Sequence, residues 1–220
     1  MAVYNENKLG ELKDFVSSSY NMADTTAMLL CGTKGRYLEI GANKPIASNN
    51  TALLELNGWT GISLEMSPRF EKMWADAGRK PTLVTCDATT FNYDGLEDKH
   101  FDFIQYDIDP SPNTFKCFIQ TMKAGLTAKF ITYEHDAYRH PDFRAYKIQA
   151  RNMLKSRGYK LLFDEVPVLD SSWRKHEDWY VAEDVIVPFD YRPECWHDFA
   201  DKYLTYYVPH TRKVERTGGK

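Results

Sequence analysis

Acidic and amide side chains gather in this sequence where short apolar runs stop. Tyr37 to Ile40 carries Glu39 and leads into Gly41-Ala42-Asn43, and the run from Ile62 ends in Glu65-Met66. The run from Thr82 to Cys86 is followed by Asp87-Ala88, and that from Phe101 by Asp107-Ile108-Asp109. The run from Phe130 closes on Glu134-His135-Asp136. In an open parallel sheet, ligands bind beyond the carboxyl ends of the strands, near the point where strand order reverses. Five polar strand ends therefore read as the edge of one site. Any one of them alone is as readily a solvated helix cap or an ordinary turn.

The residue types suggest what such a site would hold. Gly41 opens a turn where a ligand can approach backbone without meeting a Cβ. Glu65 follows 24 positions later, near the roughly 20 expected of an acidic residue that binds ribose hydroxyls. Asp87 can accept from an adenine amino group, and Asp107 can pair with a ligand ammonium. A ligand with ribose, adenine and an amino-acid end fits this set better than a dinucleotide, whose pyrophosphate favours a full G-x-G-x-x-G. That motif is absent.

For chemistry at the same edge, His135 is the favoured general base, since imidazole titrates near neutral pH, with Asp109 or Asp136 orienting it. Its bland alternative is a histidine that only hydrogen-bonds within the sheet edge. Alternatively carboxylates among Asp107, Asp109, Glu134 and Asp136 hold Mg2+, for which such oxygens are suitable ligands, with Asp107, Glu134 and Asp136 as the expected set. Asp107-Ile108-Asp109 also allows a metal-dependent glycosyltransferase, although that reading leaves Glu65 and Asp87 without a role. A protein of the same fold used only for binding is a third reading.

These side chains need elements to hold them. Strand and helix signals alternate from Arg36 onward. Helical faces run through Leu53 and Leu54, through Phe70, Met73 and Trp74, and through Phe115, Phe118, Ile119 and Met122. A further helix begins near Pro141, carries Phe143, Tyr146, Ala150 and Leu154, and stops at Gly158. Tyr159 to Phe163 and Trp179 to Val181 are the last strand signals. Such alternation demands a mostly parallel sheet covered on both faces by crossover helices, a doubly wound, Rossmann-like α/β fold. Three segments of one domain follow: an N-terminal helical cap over residues 1–35, the core over 36–185, and an aromatic helix and tail over 186–220. The cap holds Leu9, Leu12, Phe15 and Val16 at helical spacing, then a short helix capped by Asp24 and stopped at Gly32. Trp196, Phe199, Tyr203 and Tyr207 form a stripe read as core packing, with an acceptor-facing lid as the alternative.

Composition bounds the function. The 220 residues are 43% hydrophobic and 27% charged, enough for one well-filled core. A formal net charge of −3 argues against a general nucleic-acid binder. No apolar run reaches membrane-spanning length, and Met1 to Lys13 is polar, so a cytoplasmic protein is expected. Cys31, Cys86, Cys117 and Cys195 are scattered, which suits free thiols.

The stretches Glu39-Ile40-Gly41-Ala42-Asn43, Ser48-Asn49-Asn50-Thr51 and Gly58-Trp59-Thr60-Gly61-Ile62-Ser63-Leu64-Glu65 resemble the FkbM-type S-adenosylmethionine-dependent methyltransferases. Glu134-His135-Asp136-Ala137-Tyr138 and Glu177-Asp178-Trp179-Tyr180 look similar too, so the resemblance spans Arg36 to Val181. It implies a seven-stranded sheet with its last strand antiparallel, and O-methylation of a sugar, polyketide or similar small-molecule hydroxyl. By the same resemblance Glu39, Gly41, Ala42, Asn43, Glu65 and Asp87 line the cofactor site, with Met66 and Ala88 adjoining. The chain departs from the family at Lys44-Pro45, where a second glycine is frequent, and at Asp107-Ile108-Asp109-Pro110.

Overall fold

The computed structural model describes residues 21–46, 48–79, 83–168, 171–203, 205–208 and 213–216. The helix expected over Leu9 to Val16 and the tail from Thr217 lie outside the described residues. The described chain runs α1 (Ala23–Cys31), β1 (Arg36–Ile40), α2 (Ala52–Leu56), β2 (Thr60–Glu65), α3 (Arg69–Asp76) and β3 (Leu83–Thr85). After a 3-10 turn at Tyr93–Gly95 come β4 (His100–Tyr106), α4 (Ser111–Lys123), β5 (Thr127–Glu134) and α5 (Phe143–Ser156). It ends with β6 (Tyr159–Val168), β7 (Ser171–Ala182), α6 (Trp196–Tyr203), β8 (Thr205–Val208) and β9 (Lys213–Arg216).

Seven strands form one sheet in the order β3-β2-β1-β4-β5-β7-β6. Pairings among β3, β2, β1, β4 and β5 are parallel, while β7 runs antiparallel to both β5 and β6. The chain moves from β1 outward through β2 to β3, then returns to place β4 on the other side of β1. Strand order therefore reverses between β1 and β4, where a doubly wound sheet opens a crevice. This is the Rossmann-like arrangement that the alternation demanded.

The period-2 pleat sends neighbouring strand residues to opposite faces. Tyr37, Phe103, Phe130 and Trp179 pack with Met28 and Leu29 of α1, Leu53 and Leu54 of α2, and Trp196 and Phe199 of α6. Leu38, Ile104, Ile131 and Tyr180 pack on the other face with Phe118 of α4 and Leu154 of α5. Each fully buried large side chain contributes about 1.5–3 kcal/mol. The first face loses its apolar character toward the carboxyl ends of the strands. There Ser63, Glu39, Gln105 and Thr132 lie side by side in register across β2, β1, β4 and β5.

Several boundaries differ from the sequence reading. Asp24 does not cap α1; Met22 holds that position with φ 62°, and Asp24 lies inside the first turn, fully buried. A carboxylate there still suits the electropositive helix start, and its Oδ1 accepts from the Thr25 N–H at 2.7 Å. The aromatic stripe is cut short, because α6 ends at Tyr203 and Tyr207 falls in β8, paired with β9. Trp196 and Phe199 are core residues, as their spacing implied. β6 and β7 extend well beyond their apolar centres, through several register shifts that break the simple alternation. All four cysteines are free thiols. No helix among the described residues is long and apolar enough to cross a membrane.

Candidate active site

The cleft opens at the switch point. Past Ile40 the chain turns at Gly41, and the N–H groups of Gly41 and Ala42 both donate to Leu64 O, each at 3.0 Å. Gly41 has φ 96°, and a Cβ built on it would lie 1.7 Å from Asp107 O. The ends of β1 and β4 pass too closely for any other residue. The loop then doubles back over β2. Asn43, itself at φ 53°, donates its N–H to Glu65 Oε2 at 2.9 Å, and Ser67 N–H donates to Glu65 Oε1 at 2.8 Å. Two backbone amides thus fix both oxygens of Glu65, and each oxygen retains a lone pair for a ligand.

The resulting cleft has a volume of about 280 Å³. Glu39, Gly41, Ala42, Asn43, Glu65 and Met66 line it, as do Asp87, Ala88, Asp107 and Asp109. Asp87 accepts from Thr89 N–H at 2.8 Å, and hydrogen bonds from Thr89 hold its exposed carboxyl below the usual range. Glu39 is different in kind. It is 1% exposed and accepts from Ser63 Oγ at 2.7 Å, Thr51 Oγ1 at 2.9 Å and Asn49 Nδ2 at 3.1 Å. Burial pushes its carboxyl up to about 7 against those hydrogen bonds. Its two oxygens tie the loop after β1 to the sheet.

Sequence reasoning missed Gln105. It lines the cleft, donates Nε2–H to Asp107 Oδ2 at 3.3 Å, and its buried Oε1 has no hydrogen-bond partner among the described residues. A buried acceptor in that state is costly, and the residue that carries it borders the cleft. The available signal was a lone amide inside Phe103-Ile104-Gln105-Tyr106.

At the ends of β4 and β5 the acidic side chains meet. Carboxylate oxygens of Asp109, Glu134 and Asp136 lie within 4.8 Å of one another. The grouping takes Asp109 where the sequence reading placed Asp107 among the metal ligands; Asp107 pairs instead with Gln105 and Glu134. Burial pushes both carboxyls of the Asp107–Glu134 pair up, helped at Asp107 by the charge of Asp109 and at Glu134 by that of Asp107. Burial also raises Asp136 to about 6. Arg139 Nη1 lies 2.8 Å from Asp109 Oδ1 and 2.9 Å from Asp136 Oδ2. The edge therefore carries its own cation, Arg139, and burial favours the protonated form of the Asp107 and Glu134 carboxyls. The donor set of Asp109, Glu134 and Asp136 would accept a hard divalent ion, and Arg139 already bridges two of its three carboxylates.

His135 lies behind this edge. Its side chain is fully buried and is not part of the cleft wall. Nδ1 accepts from Ala137 N–H at 3.1 Å, and Nε2 is 3.3 Å from Asp178 Oδ1. The His135 and Asp136 N–H groups both donate to His176 O, and Ser111 Oγ–H donates to His135 O. Asp178 in turn accepts from Arg151 Nη2 at 2.7 Å and from Tyr180 O–H at 3.0 Å. Against burial, His135, Lys147 and Arg151 hold its carboxyl far below the usual range. The imidazole thus fastens the Glu134–Asp136 turn to β7 and α5.

No family model matches the chain, and no curated protein does. Solved structures do resemble it. The fibrillarin pre-rRNA processing protein of Methanococcus jannaschii is 17% identical, with 83% of this chain and 88% of that one covered at a TM-score of 0.51. A candidate O-methyltransferase from Klebsiella pneumoniae is 13% identical, covering 78% and 82% at 0.54. A candidate rRNA-methylase from Clostridium thermocellum is 9% identical, covering 81% and 97% at 0.51. At such identities the likeness is one of fold, and nothing in it is specific to the FkbM type.

Proposed function

We propose that this chain is an S-adenosylmethionine-dependent methyltransferase that O-methylates a neutral hydroxyl acceptor, such as a sugar or another small natural product, in the manner of the FkbM type it resembles. The observation that carries the reading is the Glu65 carboxylate, pinned by two backbone amides at the strand-order reversal with its free lone pairs beside the cleft. Such a carboxylate accepts two ribose hydroxyl protons. Exposed Asp87, next to Ala88, suits an adenine amino group, and the unpaired Gln105 Oε1 beside Asp107 suits an α-ammonium. When bound, the cofactor supplies an electrophilic methyl group on a sulfonium.

The chain's own task is to hold an acceptor oxygen in line and take its proton. We assign proton removal to the Asp107–Glu134 pair, whose raised carboxyls are more basic than ordinary ones. Asp109, exposed at the cleft and paired with Arg139, is suited to hold acceptor hydroxyls. His135 keeps the turn in place from behind. An edge with this many carboxylates repels phosphate, which favours neutral acceptors over nucleic acid. The test is methyl-labelled cofactor offered with a panel of sugars, phenols, phosphorylated sugars and RNA. Label transfer to neutral hydroxyl compounds is expected; transfer confined to RNA or phosphorylated compounds would overturn the acceptor assignment.

A further inference from the structure

The loop that carries Asn43 is held from outside the cleft by one guanidinium. Arg79 follows α3, and its side chain is 6% exposed. Its Nε donates to Glu55 Oε2 at 2.6 Å, Nη2 to Thr51 Oγ1 at 3.0 Å, and Nη1 to Asn49 Oδ1 at 3.1 Å and to Pro45 O. The plane of the guanidinium lies over Trp74, 4.1 Å from the ring centroid. Trp74 Nε1–H donates to Asn43 O at 2.9 Å, and Asn43 N–H donates to Glu65. A continuous path therefore runs from Arg79 through Trp74 and Asn43 to the carboxylate that faces the cleft.

We infer that Arg79, acting with Trp74, is a positioning residue for the cofactor: it clamps residues 43–46 and 48–51 and thereby sets the orientation of Glu65. The chemistry of the loop explains why a clamp is needed. Asn43 and Ser48 both adopt left-handed φ, 53° and 60°, where a side chain costs energy that glycine avoids. Lys44 and Pro45 stand between them. Such a backbone keeps its shape when surrounding contacts over-determine it. Arg79 supplies three of those contacts at once, in a fork geometry that a lysine ammonium cannot reproduce. The carbonyl of Pro45 and the side chains of Asn49 and Thr51 converge on it from a segment with little regular structure. Glu55 balances its charge from α2.

This inference rests on the cofactor reading above, and one set of measurements separates the two. S-adenosylmethionine is titrated calorimetrically into wild type, Arg79→Lys, Trp74→Phe, Glu65→Gln and the Arg79→Lys/Glu65→Gln double variant, with circular dichroism to establish folding. Arg79→Lys and Trp74→Phe are each expected to raise Kd by roughly 10-fold, the equivalent of about one net hydrogen bond. In the Glu65→Gln background, Arg79→Lys should add less than about 2-fold, because coupled residues are not additive. Trp74→Phe keeps the stacked ring and loses only the bond to Asn43 O, so it tests the path even if the arginine variant folds poorly. Folded Trp74→Phe and Arg79→Lys proteins with Kd within about 2-fold of wild type would refute the clamp. So would a full Arg79→Lys effect without Glu65. A wild type that does not bind the cofactor would refute the function reading, and the clamp with it.

Discussion

Replacing Glu39 by glutamine separates the two things a buried carboxyl at the cleft floor can do. Its carboxyl is raised from 4.5 to about 7, chiefly by burial, with Ser63, Arg79, Thr51 and Asn49 pulling the other way. The folded state therefore holds this proton more tightly than the unfolded chain. The resulting stabilisation is fully present below about 4.5 and is lost as pH rises through about 7. At 1.36 kcal/mol per unit the whole effect is about 3 kcal/mol, and most of it falls between pH 5 and 8. Glutamine does not titrate. The stability of Glu39→Gln minus that of wild type should therefore climb by about 2–3 kcal/mol across that interval. A constant offset is expected besides, because an amide cannot accept from Asn49, Thr51 and Ser63 all at once. Urea denaturation at pH 5, 6, 7 and 8 reads the slope without interference from the offset. Parallel curves, with a difference flat to within about 0.5 kcal/mol, would refute the assignment of a raised, buried carboxyl at Glu39.

Other expectations follow from the same geometry. Gly41→Ala puts a Cβ 1.7 Å from Asp107 O at φ 96°, so it should lower stability by about 3 kcal/mol or more, seen as a large fall in Tm. A near-normal melt would show that the β1 and β4 ends can part. Wild-type activity should be insensitive to a chelator, because Arg139 already bridges Asp109 and Asp136. Arg139→Gln leaves those carboxylates without a cation and should gain affinity for Mn2+, read from the free-ion paramagnetic signal. Tight Mn2+ binding by wild type, with activity lost to the chelator, would contradict this charge balance.

The regular part of the fold was legible because its signals are local. Helical faces such as Phe115, Phe118 and Met122, separated by strand runs, required crossovers and hence a parallel sheet, and the strand ends then gave the cleft residues. What escaped notice depends on partners far apart in the chain. Arg79 meets Pro45 across 34 positions, and Arg139 meets Asp109 across 30. No spacing announces such pairs. His135 shows a subtler limit: the type of a residue after a strand is readable, but its direction is not. Here Asp136 turns the backbone at φ 48°, and the imidazole goes inward to Asp178 while the carboxylates come together at the edge. Bulges in β6 and β7 hid their length for a related reason, since they interrupt the period-2 pattern by which strands are recognised.

In the proposed function, the cleft between the ends of β1, β2, β3 and β4 binds S-adenosylmethionine through Glu65. Titration calorimetry on the wild-type chain and Glu65→Ala tests it most directly, with a nucleotide sugar plus Mn2+ as the comparison ligand. One cofactor site is expected in wild type, weakened by roughly 1.5–3 kcal/mol in a folded Glu65→Ala protein, the scale of a hydrogen bond to a charged group, with no heat from the nucleotide sugar. Binding of the nucleotide sugar alone, or cofactor affinity unchanged in Glu65→Ala, would contradict it.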